Sequence, residues 1–206
     1  MGTHRDWYSR GYFPHCDQPG KIQSVTIRLI DAMPTARREE WKDLLERSGG
    51  NARLDAERRR KLEAYLDAGY GSCLLREPMV ADMVEEALLH WDGKRYQMLA
   101  WVIMPNHMHF TFEMAEGWPL GEVLKRFKGF TSHEANRIFG REGSFWYPDY
   151  WDRYVRDRNH LRKLIHYIHE NPVKAGLVGR AEEWRWSSAR FGARETTREA
   201  DHEGKF

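Results

Sequence analysis

The chain has 206 residues, 41% hydrophobic and 31% charged, with a net charge of +2, the composition of one soluble globular domain with additions. No run approaches the roughly 18 apolar residues that a membrane span needs and the N-terminus has no apolar signal core, so a cytoplasmic location is expected. Cys16 and Cys73 lie far apart, which argues against a disulfide framework or a thiolate zinc site and leaves any metal to His, Asn, carboxylates or water.

Residues 1–23 are rich in Gly, Pro, Tyr and His without a period and read as an extended N-terminal arm. Residues 24–30 alternate with β-branched positions at Val25 and Ile27 and read as a strand. A helical insertion is expected over 35–68, in two helices broken at Ser48-Gly49-Gly50-Asn51, the second carrying Leu62, Tyr65 and Leu66. Residues 79–91 follow as a helix with Val80, Met83, Val84, Ala87 and Leu88 at helical spacing. Two apolar runs, 96–104 and 107–114, are separated by Pro105-Asn106 and read as a hairpin. Residues 120–140 form a helix with Leu124, Phe127 and Ile138 inward, and a short strand is expected near 150–155. The last helix covers 159–171, with Leu161, Leu164, Ile165 and Ile168 as its stripe, and is expected to stop at Pro172. Residues 191–206 read as a flexible tail. Strand, helix, two hairpin strands, helix, strand is the order of an α+β, ferredoxin-like (split βαβ) antiparallel sheet in a single domain with added helices.

The chemistry centres on His107-Met108-His109. Alternate strand residues share a face, so His107, His109, Thr111 and Glu113 line one surface while Met108, Phe110 and Phe112 enter the core. Two neutral imidazoles on a rigid strand make half a site for a divalent cation, although two nearby histidines on a polar strand face are more often solvated or hydrogen-bonded to the backbone. The last helix brings Tyr167 and Asn171 to one face, four residues apart. Asn171 is an oxygen donor suited to Mg²⁺ or Mn²⁺; Tyr167 is either a nucleophile that needs help to ionise or an ordinary helix tyrosine at the core edge. Residues 121–180 hold twelve Lys and Arg against seven Asp and Glu, the balance of a phosphate-tracking surface or of a solvated basic face. Lys125, Arg126, Lys128, Arg153, Arg156 and Lys163 are its candidate phosphate contacts. Trp146 and Tyr150 are candidates for base stacking, or for closing the core. Trp184 and Trp186 read as a structural strap.

His107-Met108-His109 after Pro105-Asn106, the run Tyr167-Ile168-His169-Glu170-Asn171-Pro172 and Trp184-Arg185-Trp186-Ser187-Ser188, in this order, resemble the REP-associated tyrosine transposases of the HUH, IS200-like family. The resemblance implies a metal-dependent single-stranded DNA endonuclease and strand-transfer enzyme acting at hairpin-forming repeats through a 5′-phosphotyrosine. It implies Tyr167 as nucleophile, and His107, His109 and Asn171 as the holders of Mg²⁺ or Mn²⁺. Relatives frequently carry Gln where this chain has Asn171. The implied partner is single-stranded DNA with hairpin repeats, bound by a monomer or homodimer, with no membrane. Two other readings of the same fold are a non-catalytic DNA- or RNA-binding module and a hydrolytic metal nuclease in which Tyr167 is dispensable.

Overall fold

The computed structural model describes residue 4 and residues 6–9, 14–33 and 52–192. The first helix expected in the insertion, its break at 48–51 and the tail from 193 lie outside these. The segment read as an extended arm contains a two-stranded antiparallel hairpin, β1 (Asp6–Ser9) and β2 (Pro14–Asp17). β3 (Ile22–Arg28) follows, then α1 (Ala52–Asp67), α2 (Pro78–Leu89), β4 (Tyr96–Ile103), β5 (His107–Met114), α3 (Leu120–Phe139), β6 (Trp151–Tyr154) and α4 (Arg158–Lys174).

The main sheet runs in the order β4-β5-β3-β6 and every neighbouring pair is antiparallel. β3 and β4 are therefore parallel, with β5 inserted between them, and this is the split βαβ order read from the sequence. The alternation of β3 and β5 sends Val25, Ile27, Met108, Phe110 and Phe112 to one face, where α2 and α3 cover them with Val80, Val84, Leu120 and Leu124. The other face carries Leu99, Ala100 and Val102 under Leu161, Leu164, Ile165 and Ile168 of α4. Helices thus lie on both faces, with α4 packed on the histidine side and the C-terminal part of α1 reaching His107 and His109. The register of β4 on β5 shifts between Met98 and Ala100. This bulge lets the consecutive residues Leu99 and Ala100 both face α4.

α4 starts at Asp157, whose carboxylate accepts the His160 N–H at 2.7 Å and so satisfies one of the first free donors of the helix. The helix does not stop before Pro172 but runs on to Lys174. The ring removes only the bond that its own N–H would have made, and the chain leaves the helix one turn later. There the Gly176 N–H bonds the Val173 carbonyl and Gly176 takes φ +69°, a conformation costly for a side chain with a Cβ.

The Trp184–Trp186 segment runs along the open edge of β4, as its reading as a strap requires. Trp184 Nε1 donates to the Ile103 carbonyl at 2.8 Å and the Ile103 N–H to the Trp186 carbonyl at 2.8 Å. Trp186 Nε1 and Arg185 each bond the Asp82 carboxylate at 2.8 Å. An edge strand that would otherwise expose its ladder groups is thereby covered. No helix among the described residues is long and apolar enough to cross a membrane.

Candidate metal and nucleophile site

Pairing of β5 with β3 sets Arg28 opposite His107 and Thr26 opposite His109. The β4–β5 turn is fixed by Asn106, which is fully buried: its side-chain amide donates to the Tyr70 carbonyl at 2.9 Å. That leaves the Asn106 Oδ1 to accept from His107 Nδ1 at 2.7 Å, so the lone pair of His107 lies on Nε2. His109 Nδ1 is held by the Thr26 hydroxyl at 2.7 Å. These are the outer contacts that fix a ligand imidazole's tautomer and ring plane. With both rings so oriented, the two Nε2 atoms converge to 3.1 Å.

That separation suits a shared cation. Two metal bonds of about 2.1 Å at a right angle span about 3.0 Å. Both rings are buried. Burial, and then the neighbouring His109, pushes the His107 imidazole well below its ordinary range, and burial holds His109 down at about 3. Both imidazoles are therefore neutral near pH 7. Asn171 is fully buried and neither of its amide atoms has a hydrogen-bond partner, which is costly for a polar group unless something else fills its valences. Among the described residues no three His, Cys, Asp or Glu side chains form a metal cluster; the two imidazoles and the Asn171 amide are the donors that a divalent ion would use here.

α4 places Tyr167 over the pair, its ring 5.4 Å from that of His109, and the Lys174 ammonium stands 4.9 Å from the centre of the Tyr167 ring. The Tyr167 hydroxyl is buried and makes no aligned hydrogen bond, although Asn171 and Glu63 stand beside it. Its ionisation is pushed well above the usual tyrosine range, by burial first and then by the carboxylates of Glu63 and Asp67, with Asn171 acting the other way. Ser24, Thr26, Glu63, His109, Arg153 and Tyr167 line one cleft.

The predicted DNA contacts divide. Arg153 lines the cleft; Arg156 and Lys163 are exposed. Lys125 and Arg126 are exposed on α3, which covers the opposite face of the sheet, so the structure does not bring them to the histidines. Three candidates are engaged elsewhere. Lys128 donates to the Tyr147 and Pro148 carbonyls at 2.6 and 2.8 Å, and burial lowers its pKa to about 8. Trp146, 3% exposed, donates Nε1 to the Thr131 hydroxyl at 2.8 Å. Tyr150, 6% exposed, packs on His15 with ring centres 4.3 Å apart. Trp146 and Tyr150 are core residues here, with no ring face open to a base. Sequence reasoning missed Thr26, Asn106, Glu63 and Asp67. Of these, only Asn106, next to His107 in the turn, left a local signal.

A sheet-borne His-x-His pair under a helix-borne tyrosine is the arrangement that the resemblance implied, and residues 75–171 match the family model described as Transposase IS200 like. The match takes in His107, His109, Tyr167 and Asn171. Among curated proteins the chain is similar to the REP-associated tyrosine transposase of Escherichia coli (strain K12), 29% identical over 114 residues, covering 52% of this chain and 62% of that protein. It is also similar to a putative REP-associated tyrosine transposase of Haemophilus influenzae (strain ATCC 51907 / DSM 11121 / KW20 / Rd), 27% identical over 103 residues, covering 45% of this chain and 58% of that protein. The chain thus spans about three fifths of the length of these relatives. A solved REP-associated tyrosine transposase bound to a REP hairpin shares the fold, with TM-score 0.52 and 19% identity over 94% of this chain and 87% of that one. The family resemblance and the α+β fold read from the sequence are borne out.

Proposed function

We propose that the protein is a metal-dependent, cytoplasmic single-stranded DNA endonuclease and strand-transfer transposase acting at hairpin-forming repeats. The observation that carries this is the convergence of the His107 and His109 Nε2 atoms to 3.1 Å beneath Tyr167.

His107, His109 and Asn171 would hold Mg²⁺ or Mn²⁺, which would supply Lewis acidity toward a non-bridging phosphate oxygen. Tyr167 forms the Oη–phosphorus bond as the bond from phosphorus to the 3′ oxygen breaks. The phenolic proton leaves through the cleft and the departing oxygen becomes a 3′-hydroxyl. The 5′-phosphotyrosine keeps the energy of the phosphodiester, so a second 3′-hydroxyl can reverse the step without ATP. Lys174 offsets charge as Tyr167 ionises. Arg153, Arg156 and Lys163 hold the strand through its phosphates.

His107→Ala and His109→Ala should each abolish Mn²⁺-dependent cleavage of a single-stranded hairpin and leave hairpin binding within about threefold, because phosphate contacts lie mainly outside β5. Full cleavage by chelator-treated parent protein, or parallel loss of binding and cleavage in both variants, would overturn the reading.

A further inference from the structure

The helix that precedes the family match reaches into the site. Asp67 is the last residue of α1, and its Oδ1 lies 3.9 Å from His107 Nε2. This oxygen is buried and accepts no hydrogen bond. Because His107 is neutral, the contact is not a charge pair, and a carboxylate at the C-terminal end of a helix also faces the negative end of the helix dipole. Lys174 is the cation whose charge acts on it; that ammonium is exposed and stands over the Tyr167 ring. The placement is unfavourable for the empty protein and favourable for one holding a cation between Asp67 and the imidazoles.

We propose that Asp67, contributed by the helix ahead of the shared core, is a carboxylate ligand of the divalent cation that His107 and His109 hold. The inference rests on the metal reading above. In an octahedron with bonds of about 2.1 Å, neighbouring ligands lie about 3.0 Å apart and opposite ones about 4.2 Å, so 3.9 Å between Oδ1 and Nε2 falls within the span of one ion. Among the described residues no three His, Cys, Asp or Glu side chains enclose a common point, so ligation would require the Asp67 carboxylate to turn toward the imidazoles. The site then has a hard anionic oxygen, which Mg²⁺ and Mn²⁺ favour over imidazole alone. It also gives α1 a function: without that helix the cation would have one anionic ligand fewer.

The test is calorimetric titration of the full chain with Mn²⁺ alone, in the parent, Asp67→Asn and His107→Ala, with a melting curve of each metal-free protein. Asp67→Asn should bind Mn²⁺ at least about 10-fold more weakly, yet melt at the same or a higher temperature without metal. A merely structural carboxylate would give the reverse. An affinity within twofold of the parent, or an Asp67→Asn protein that no longer folds, overturns the inference while leaving the histidine site standing. Equal Mn²⁺ binding by parent and His107→Ala, or none by the parent, removes the metal reading itself and the inference with it.

Discussion

His15 ties the N-terminal hairpin to the edge of the main sheet, and this tie should make stability fall as pH rises. The imidazole is fully buried, with Nδ1 hydrogen-bonded to Asp152 on β6 and Nε2 3.2 Å from Asp149. Only the imidazolium carries the positive charge that both carboxylates attract. Burial opposes the charge, but the hydrogen bonds and charges of Asp149 and Asp152 outweigh it and raise the pKa from 6.5 to about 9. The folded state then binds one more proton than the unfolded state between these values. The stabilisation is whole below about pH 6.5 and gone above about pH 9, a loss of about 3 kcal/mol at about 1.4 kcal/mol per pH unit. Lys128 acts in the opposite sense. Its pKa is lowered from 10.5 to about 8, so its contribution to stability rises with pH between those values. A variant therefore has to isolate the histidine. Urea denaturation of parent and His15→Gln at half-unit steps from pH 6 to 9.5 should give curves well separated at pH 6 that close by about 3 kcal/mol at the upper end. A constant separation across that range would refute the ion-pair account.

Tyr167→Phe removes a buried hydroxyl that has no aligned partner, so urea denaturation should show stability unchanged or higher by up to about 1 kcal/mol; a loss above that would mean that the hydroxyl is bonded. Arg190 grips both oxygens of Glu85, at 2.8 and 2.9 Å, and Glu85 also accepts from Trp101 Nε1 at 2.8 Å. Arg190→Ala should cost about 1–3 kcal/mol in the same assay by leaving that buried carboxylate half satisfied. In hairpin binding measured across a salt series, Arg153→Ala and Lys163→Ala should each reduce the log–log slope by about 0.7, and the pair Lys125→Ala/Arg126→Ala should change it less. The opposite ranking would move the DNA to the α3 face.

The parts of the site legible in the sequence are those whose geometry is local. Period two put His107 and His109 on one face, and a four-residue spacing put Tyr167 beside Asn171, because strand and helix repeats are fixed by the backbone. Pro172 misled at the helix end because it forbids one hydrogen bond, not one more turn. For Trp146, Tyr150 and Lys128 the sequence left two readings open. Composition cannot tell a ring that stacks on a base from one whose N–H has a partner inside, as Trp146 has in Thr131, nor a free ammonium from one clasped by two carbonyls, as in Lys128. Thr26 is a matter of strand register and Asp67 of how α1 docks, contacts set only by tertiary packing. His15 and Asp152, 137 residues apart, had no common signal in the chain.

The most direct test is to incubate the parent and Tyr167→Phe with Mn²⁺ and an end-labelled single-stranded hairpin, denature, and map any protein–DNA adduct by peptide mass. The parent should give an adduct on the peptide containing Tyr167, together with a free 3′-hydroxyl, and Tyr167→Phe should give neither while still binding the hairpin. Cleavage by Tyr167→Phe at the parent rate, or an adduct on Tyr150 or Tyr154 instead, would contradict the account.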